Sequence, residues 1–187
     1  MTGSSRFYAL DALRGLAIAL MILVNTPGSW QHVYSPLLHA SWDGFTFADI
    51  VFPAFLFVVG AAMFYALRHT SLTVATVQRI VKRGVLLVAI GILLNWFPFT
   101  HSVNELRLPG VLQRIGLCYM LAALLVLLIK VRYIPLLSIA LLALYWILLH
   151  TFGGGQPFSL SGNAVLKLDI LLFGSAHLYQ GFGIAFD

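Results

Sequence analysis

Apolar residues fill this chain in long blocks separated by short polar interruptions, and within the blocks apolar and polar positions do not alternate. A helix needs roughly 20 apolar residues to cross the hydrocarbon core of a bilayer. Five blocks meet or approach that length, at residues 9–25, 47–67, 81–96, 111–129 and 133–150. The pattern predicts an all-α, polytopic transmembrane helical bundle of about five spans over residues 1–150. A membrane β-barrel would require alternation along each strand, which these blocks lack. Gly60, Ala61 and Ala62 in the second block supply small residues of the kind that let helices approach closely, and Pro53 lies near its start.

Past residue 150 the pattern changes. Gly153, Gly154, Gly155 and Pro157 predict a flexible connection. The run 165–173 is too short to span and carries Lys167 and Asp169, so it is expected to be an interfacial or extracytoplasmic helix. Residues 151–187 thus form a separate C-terminal segment, expected to lead into further spans.

Composition strengthens the membrane reading. The 187 residues are 60% hydrophobic and 9% charged, against about 25% charged in a soluble domain. Mean hydropathy is +0.95. The net charge of +5 would suggest nucleic acid in a soluble protein, but here the cations gather at helix ends, where they set orientation. Arg6, Arg68, Arg79, Lys82, Arg83, Lys130 and Arg132 fall on one side, the expected cytoplasmic side, together with the N-terminus. Asp43, Asp49, Glu105, Asp169 and Asp187 fall on the other, with Arg107, Arg114 and Lys167; so do His39, His101, His150 and His177. Tyr145 and Trp146 fit an aromatic belt on that outer side. The N-terminus carries Arg6, Asp11 and Arg14 and no small-residue cleavage site, so it reads as a retained first span rather than a signal peptide. The single Cys118 excludes an intrachain disulfide, and its apolar neighbourhood favours packing over nucleophilic chemistry.

The polar residues inside this apolar frame carry the chemistry, because polar groups near hydrocarbon tend to be paired, wet or functional. His39, Trp42, Asp43 and Gly44 form the motif HASWDG at a membrane boundary. Imidazole titrates near neutrality and can act as a general base; the bland alternative is a hydrogen-bonded interface histidine. Asp43 could fix its tautomer if the local backbone turns helically. Asn25 either ends the first helix or presents its amide to the same outer cavity. Asp49 either caps the second helix or contacts substrate. Asp11 and Arg14, three apart, make an ion pair or leave Arg14 for an anionic ligand. Arg79, Lys82 and Arg83 suit lipid headgroups or the phosphates of a nucleotide-bearing donor. Gln113 and Arg114 open the fourth helix, where a cation needs a partner or a cavity. No pair of histidines has H-x-x-x-H spacing, so no metal is expected.

The ordered motifs LDALRGLAIALMILVN, HASWDGFTFADIVFPAFLFVVG and LPGVLQRIGLCY resemble the heparan-α-glucosaminide N-acetyltransferase family and its bacterial relatives over about residues 6–129. The ending HLYQGFGIAFD also looks like a family loop. The resemblance implies an integral membrane enzyme of the bacterial inner membrane. It would move acetyl from cytoplasmic acetyl-CoA to an amino sugar or glycan on the extracytoplasmic side. His39 matches the family's active-site histidine and Asn25 its nearby asparagine. Beside them the expected donor-binding residues are Arg79, Lys82, Arg83, Arg14 and Arg114, and the expected acceptor-binding residues are Trp42, Asp43 and Asp49. The implied partners are acetyl-CoA, the amino sugar and the bilayer, with a homo-oligomer left open and no nucleic acid. Two rivals remain: an O-acyltransferase of a cell-surface glycan, and a transporter or non-catalytic membrane subunit. No inverted repeat supports transport.

Overall fold

Six helices follow the apolar blocks. A computed structural model describes residues 8–42, 44–99, 102 and 106–179. Its helices are α1 (Tyr8–Asn25), α2 (Phe47–Leu67), α3 (Val74–Trp96), α4 (Val111–Leu128), α5 (Ile134–Phe152) and α6 (Ala164–Phe173), with no β-strand among the described residues. The chain divides into two units, residues 1–68 and 69–187.

In the first unit α1 and α2 pack through Val24, Ala48 and Val51, with Leu20, Met21 and Leu37 against them. Farther along, Leu13, Ala17, Ala54 and Val58 line an open apolar crevice of about 120 Å³ between the same helices. The connection contains two short 3-10 turns, Trp30–His32 and Ser35–Leu37. Pro53 lies inside α2 and deprives the Asp49 carbonyl, four residues earlier, of its helical donor; membrane helices tolerate such breaks.

In the second unit α3 lies against α4 along a glycine seam. A Cβ on Gly116 would sit 2.7 Å from the Gly84 carbonyl oxygen, and one on Gly84 would sit 2.2 Å from Met120 Cγ. No side chain fits there, so the backbones touch, as small-residue stripes allow in membranes. The 3-10 turn Val131–Tyr133 links α4 to α5. The glycine-rich connection after α5 is not a loose tether. Gly153 is buried, a Cβ there would lie 2.6 Å from Pro157, and Lys167 Nζ reaches back to donate to the Phe152 carbonyl at 2.8 Å. Asn163 caps α6 by accepting from Val165 N at 2.8 Å, and Gly174, at φ +78°, ends it.

Burial is inverted relative to a soluble protein. The interior holds Ala17, Ala48, Val58 and Ala123, whereas Ile22, Phe57 and Leu142 are 60%, 78% and 69% exposed. Apolar surface on that scale requires an apolar solvent. Among the described residues four segments are long and apolar enough to cross a membrane: Tyr8–Asn25, Phe47–Leu67, Val111–Leu128 and Val131–Phe152. The chain is therefore an all-α integral membrane protein.

Two sequence expectations are corrected. The third helix begins at Val74, not at residue 81, so Arg79, Lys82 and Arg83 lie in its middle turns rather than at its entry. Every 18-residue stretch of α3 includes all three cations, so it does not join the four apolar spans. Cys118 is exposed on α4 rather than packed.

Candidate active site

The loop between α1 and α2 delivers His39 to the first turn of α2. Thr46 is the N-cap of that helix, and Asp49 stands at its third position. The Asp49 carboxylate turns back across the turn: Oδ2 accepts from Thr46 N at 2.9 Å and from Ala40 N at 3.3 Å. This is the carboxylate half of a capping box, in which the third residue satisfies the orphan donor at the helix start. The Thr46 hydroxyl lies 2.7 Å from the Leu38 carbonyl and 3.0 Å from Asp49 Oδ2. Its single proton is shared between them, and both contacts tie the loop around His39 to the helix. Gly44 completes the reversal at φ +132°, a conformation side chains rarely adopt.

The remaining oxygen, Asp49 Oδ1, lies 2.7 Å from His39 Nδ1. A carboxylate only accepts, so Nδ1 carries a proton, and in the neutral ring the lone pair therefore lies on Nε2. His39 is 54% exposed and Asp49 26%. The imidazole is thus clamped on one side and open on the other, with Nε2 unpartnered among the described residues. A positioned imidazole of this tautomer can accept a proton or act as a nucleophile.

The structure gives the partner of His39 as Asp49. Asp43, the carboxylate that sequence proximity suggested, lies outside the described residues. Asp49 was also expected as a substrate contact; its oxygens are instead occupied by His39, Ala40 and Thr46. Trp42 is 43% exposed on the same loop as His39. Asn25 ends α1, and its Nδ2 donates to the Met21 carbonyl at 2.8 Å; no hydrogen bond joins it to His39 among the described residues. Arg14 faces Asp11 at 3.5 Å, both exposed.

In the second unit Arg79, Lys82 and Arg83 are exposed, off the Thr76, Ile80, Gly84 and Gly91 face that α3 buries, and no ion pair holds them among the described residues. Arg114 bonds Asp169 of α6 at 2.9 Å, with Asp169 only 10% exposed. Sequence reading had noted Arg114's need for a partner without finding Asp169. Among the described residues no three of His, Cys, Asp and Glu come together. The sequence did hold one unused signal: Thr46 and Asp49 have the T-x-x-D spacing of a capping box, which places Asp49 Oδ2 on the backbone and leaves Oδ1 to reach the loop.

A family model described as heparan-alpha-glucosaminide N-acetyltransferase, catalytic, matches residues 6–170. A mouse (Mus musculus) heparan-alpha-glucosaminide N-acetyltransferase is 35% identical over 131 residues, covering 66% of this chain and 20% of the mouse protein. The human (Homo sapiens) protein of the same name is 38% identical over 130 residues, covering 66% of this chain and 19% of the human protein. The match therefore spans about a fifth of the length of these curated relatives.

Proposed function

The chain belongs to the heparan-alpha-glucosaminide N-acetyltransferase catalytic family, and from that premise we propose that it carries the proton-accepting histidine of a membrane acetyltransferase. The donor is acetyl-CoA on the cytoplasmic side, and the acceptor is the amino group of a glucosamine-type sugar on the extracytoplasmic side of a bacterial inner membrane. The observation that carries the reading is the His39–Asp49 pair, with Nδ1 held at 2.7 Å and the ring otherwise open.

The amine attacks the thioester carbonyl, the C–N bond forms, and the C–S bond breaks. His39 Nε2 takes the proton that the amine loses and returns it to the departing thiolate. Asp49 fixes the neutral ring as the Nδ1–H tautomer, which leaves the lone pair on Nε2, and stabilises the imidazolium once it forms. A general base of this kind contributes about 10²–10⁴-fold. Asn25, with Nδ2 already on Met21, offers its amide oxygen, so its role is to accept from the acceptor amine and orient it. Trp42 offers an aromatic face to the sugar, and Asp43 of the same motif is assigned to the acceptor as well. Arg79, Lys82 and Arg83 supply uncompensated charge for the phosphates of CoA. Arg14, already facing a carboxylate, contributes less, and Arg114, on the acceptor side and paired with Asp169, steadies the acetyl carbonyl of the donor. The sequence distribution of cations supports the assigned sidedness.

The test is acetyl transfer by the purified full-length protein, followed as CoA release. Glucosamine supports release in wild type, glucose does not, and His39→Ala slows it by about 10²–10⁴-fold. Release with glucose alone would assign the site to O-acetylation. A folded, inserted His39→Ala variant with wild-type transfer would refute the reading. Isolation of an acetyl group on His39 would make Nε2 the nucleophile rather than the base.

A further inference from the structure

Arg79, Lys82 and Arg83 of α3 stand at levels where its neighbour α4 carries no charge. The two helices run antiparallel along their glycine seam, which fixes their levels against each other. A Cβ on Gly110 would meet Asn95, one on Gly91 would meet Gln113 and Leu112, one on Gly116 would meet Leu87 and Val88, and one on Gly84 would meet Met120. Each step along α3 is matched by an equal step back along α4. Arg79 is therefore level with Leu124, and Lys82 and Arg83 are level with Met120. α4 is the apolar span Val111–Leu128. At 1.5 Å per residue it is about 27 Å long, close to the hydrocarbon thickness of about 30 Å. Its midpoint falls between Tyr119 and Met120. Lys82 and Arg83 thus lie near the middle of the bilayer, about 12 Å inside the end of α4 at Leu128.

Snorkelling does not account for all three. Arg79, about one turn inside that end, can lay its stem along the helix and reach the headgroups, but Lys82 and Arg83 lie about two turns inside. All three side chains are exposed, and no ion pair holds them among the described residues. Their spacing of three and four places them on one face of α3, off the Thr76, Ile80, Gly84 and Gly91 face that it buries. One turn farther on, the same face continues as Leu86 and Ile90, 57% and 41% exposed. The face is cationic as far as the bilayer middle and apolar beyond it. Ionised side chains at such depth face a partner or a water-filled cavity rather than acyl chains. With no carboxylate paired to them among the described residues, water and a mobile anion fit this face.

We infer that a water-filled inlet runs from the cytoplasmic surface along the first half of α3 to the middle of the bilayer, and that Arg79, Lys82 and Arg83 line it as the binding wall for the diphosphate of the donor. The ligand rests on the acetyl-CoA reading above, the inlet on the depth of the cations. A diphosphate held there leaves the thioester arm only the outer half of the bilayer, about 15 Å, to cross. Single cysteines in the full-length protein, in sealed inside-out vesicles, test both parts. The background is Cys118→Ser, because Cys118 is exposed. The probes are membrane-impermeant methanethiosulfonates, one an anionic sulfonate and one a cationic trimethylammonium, each rate normalised to that with a free thiol. Lys82→Cys and Arg83→Cys should react from the cytoplasmic side, several-fold faster with the anionic reagent, and CoA should slow both. Leu86→Cys, deeper on the same face, and Val81→Cys, off that face, should stay unmodified. A misfolded variant would give itself away by reacting there too, and two test positions guard against one that does not insert. Lys82→Cys and Arg83→Cys no more reactive than Val81→Cys and Leu86→Cys would overturn the inlet. Reaction that CoA leaves unchanged, or that phosphatidylglycerol in the vesicle slows while CoA does not, would overturn the binding wall. Labelling requires no turnover, so the expected pattern in a protein that releases no CoA with glucosamine would refute acetyl transfer alone.

Discussion

Two helices of this protein begin in opposite ways. At the start of α2, Thr46 and Asp49 close the turn on itself: Asp49 takes the Thr46 and Ala40 amides and the His39 ring. At the start of α4, Gly110 provides no capping side chain and Gln113 Nε2 is buried without an acceptor among the described residues. The first arrangement fixes a side chain that lies outside the helix, since each bond that satisfies the N-terminus also restrains the loop bearing His39. A capped terminus suits a group that must hold one tautomer in one orientation.

The comparison is broken most severely at the open side of the first site. His39→Ala should lower kcat by about 10²–10⁴-fold in the full-length protein, with helical circular dichroism unchanged. Asp49→Asn comes next. It removes the charge that holds Nδ1–H while keeping the size of the side chain, and supporting groups of this kind are worth about 10–100-fold. The loss should appear in kcat more than in KM, because Asp49 touches no substrate in the proposed reaction. At the start of α4, Arg114→Met leaves Asp169 nearly buried without its cation. Breaking a fully buried pair costs about 3–5 kcal/mol; because Arg114 is 42% exposed, the expected loss is about 1–3 kcal/mol, seen as a lower melting temperature. Thr46→Val is the smallest change. It removes the capping hydroxyl and its contact to Leu38, at about 0.5–2 kcal/mol, and its effect on kcat should be well below that of Asp49→Asn.

The helices were largely legible in the sequence because long apolar runs determine them. α2 begins at Phe47 and ends at Leu67, as its apolar block does, and α1, α4, α5 and α6 differ from theirs by no more than two residues at either end. The exception has a physical cause. α3 starts at Val74 because Thr73 caps it, accepting from Thr76 N at 3.2 Å, and its first half is helical while carrying Arg79, Lys82 and Arg83. Hydropathy marks where a helix is apolar, not where it begins. The site was legible in part. His39 and Asn25 stood out through motif resemblance and through the improbability of polar residues at that depth. The partner of His39 did not, because Asp43 is nearer in sequence and only the reversal at Gly44 and the cap at Thr46 bring Asp49 to the ring. The Arg114–Asp169 pair spans 55 positions, and no local pattern connects a residue on α4 with one on a helix three turns long.

The claim on which the mechanism rests is that Asp49 acts on the reaction only by holding His39. Measuring kcat for wild type, His39→Ala, Asp49→Asn and the double variant tests it most directly. The account predicts that Asp49→Asn lowers the rate when His39 is present and lowers it no further when His39 is alanine. An additional loss in the double variant, equal to that of Asp49→Asn alone, would contradict it and give Asp49 a separate part in the chemistry.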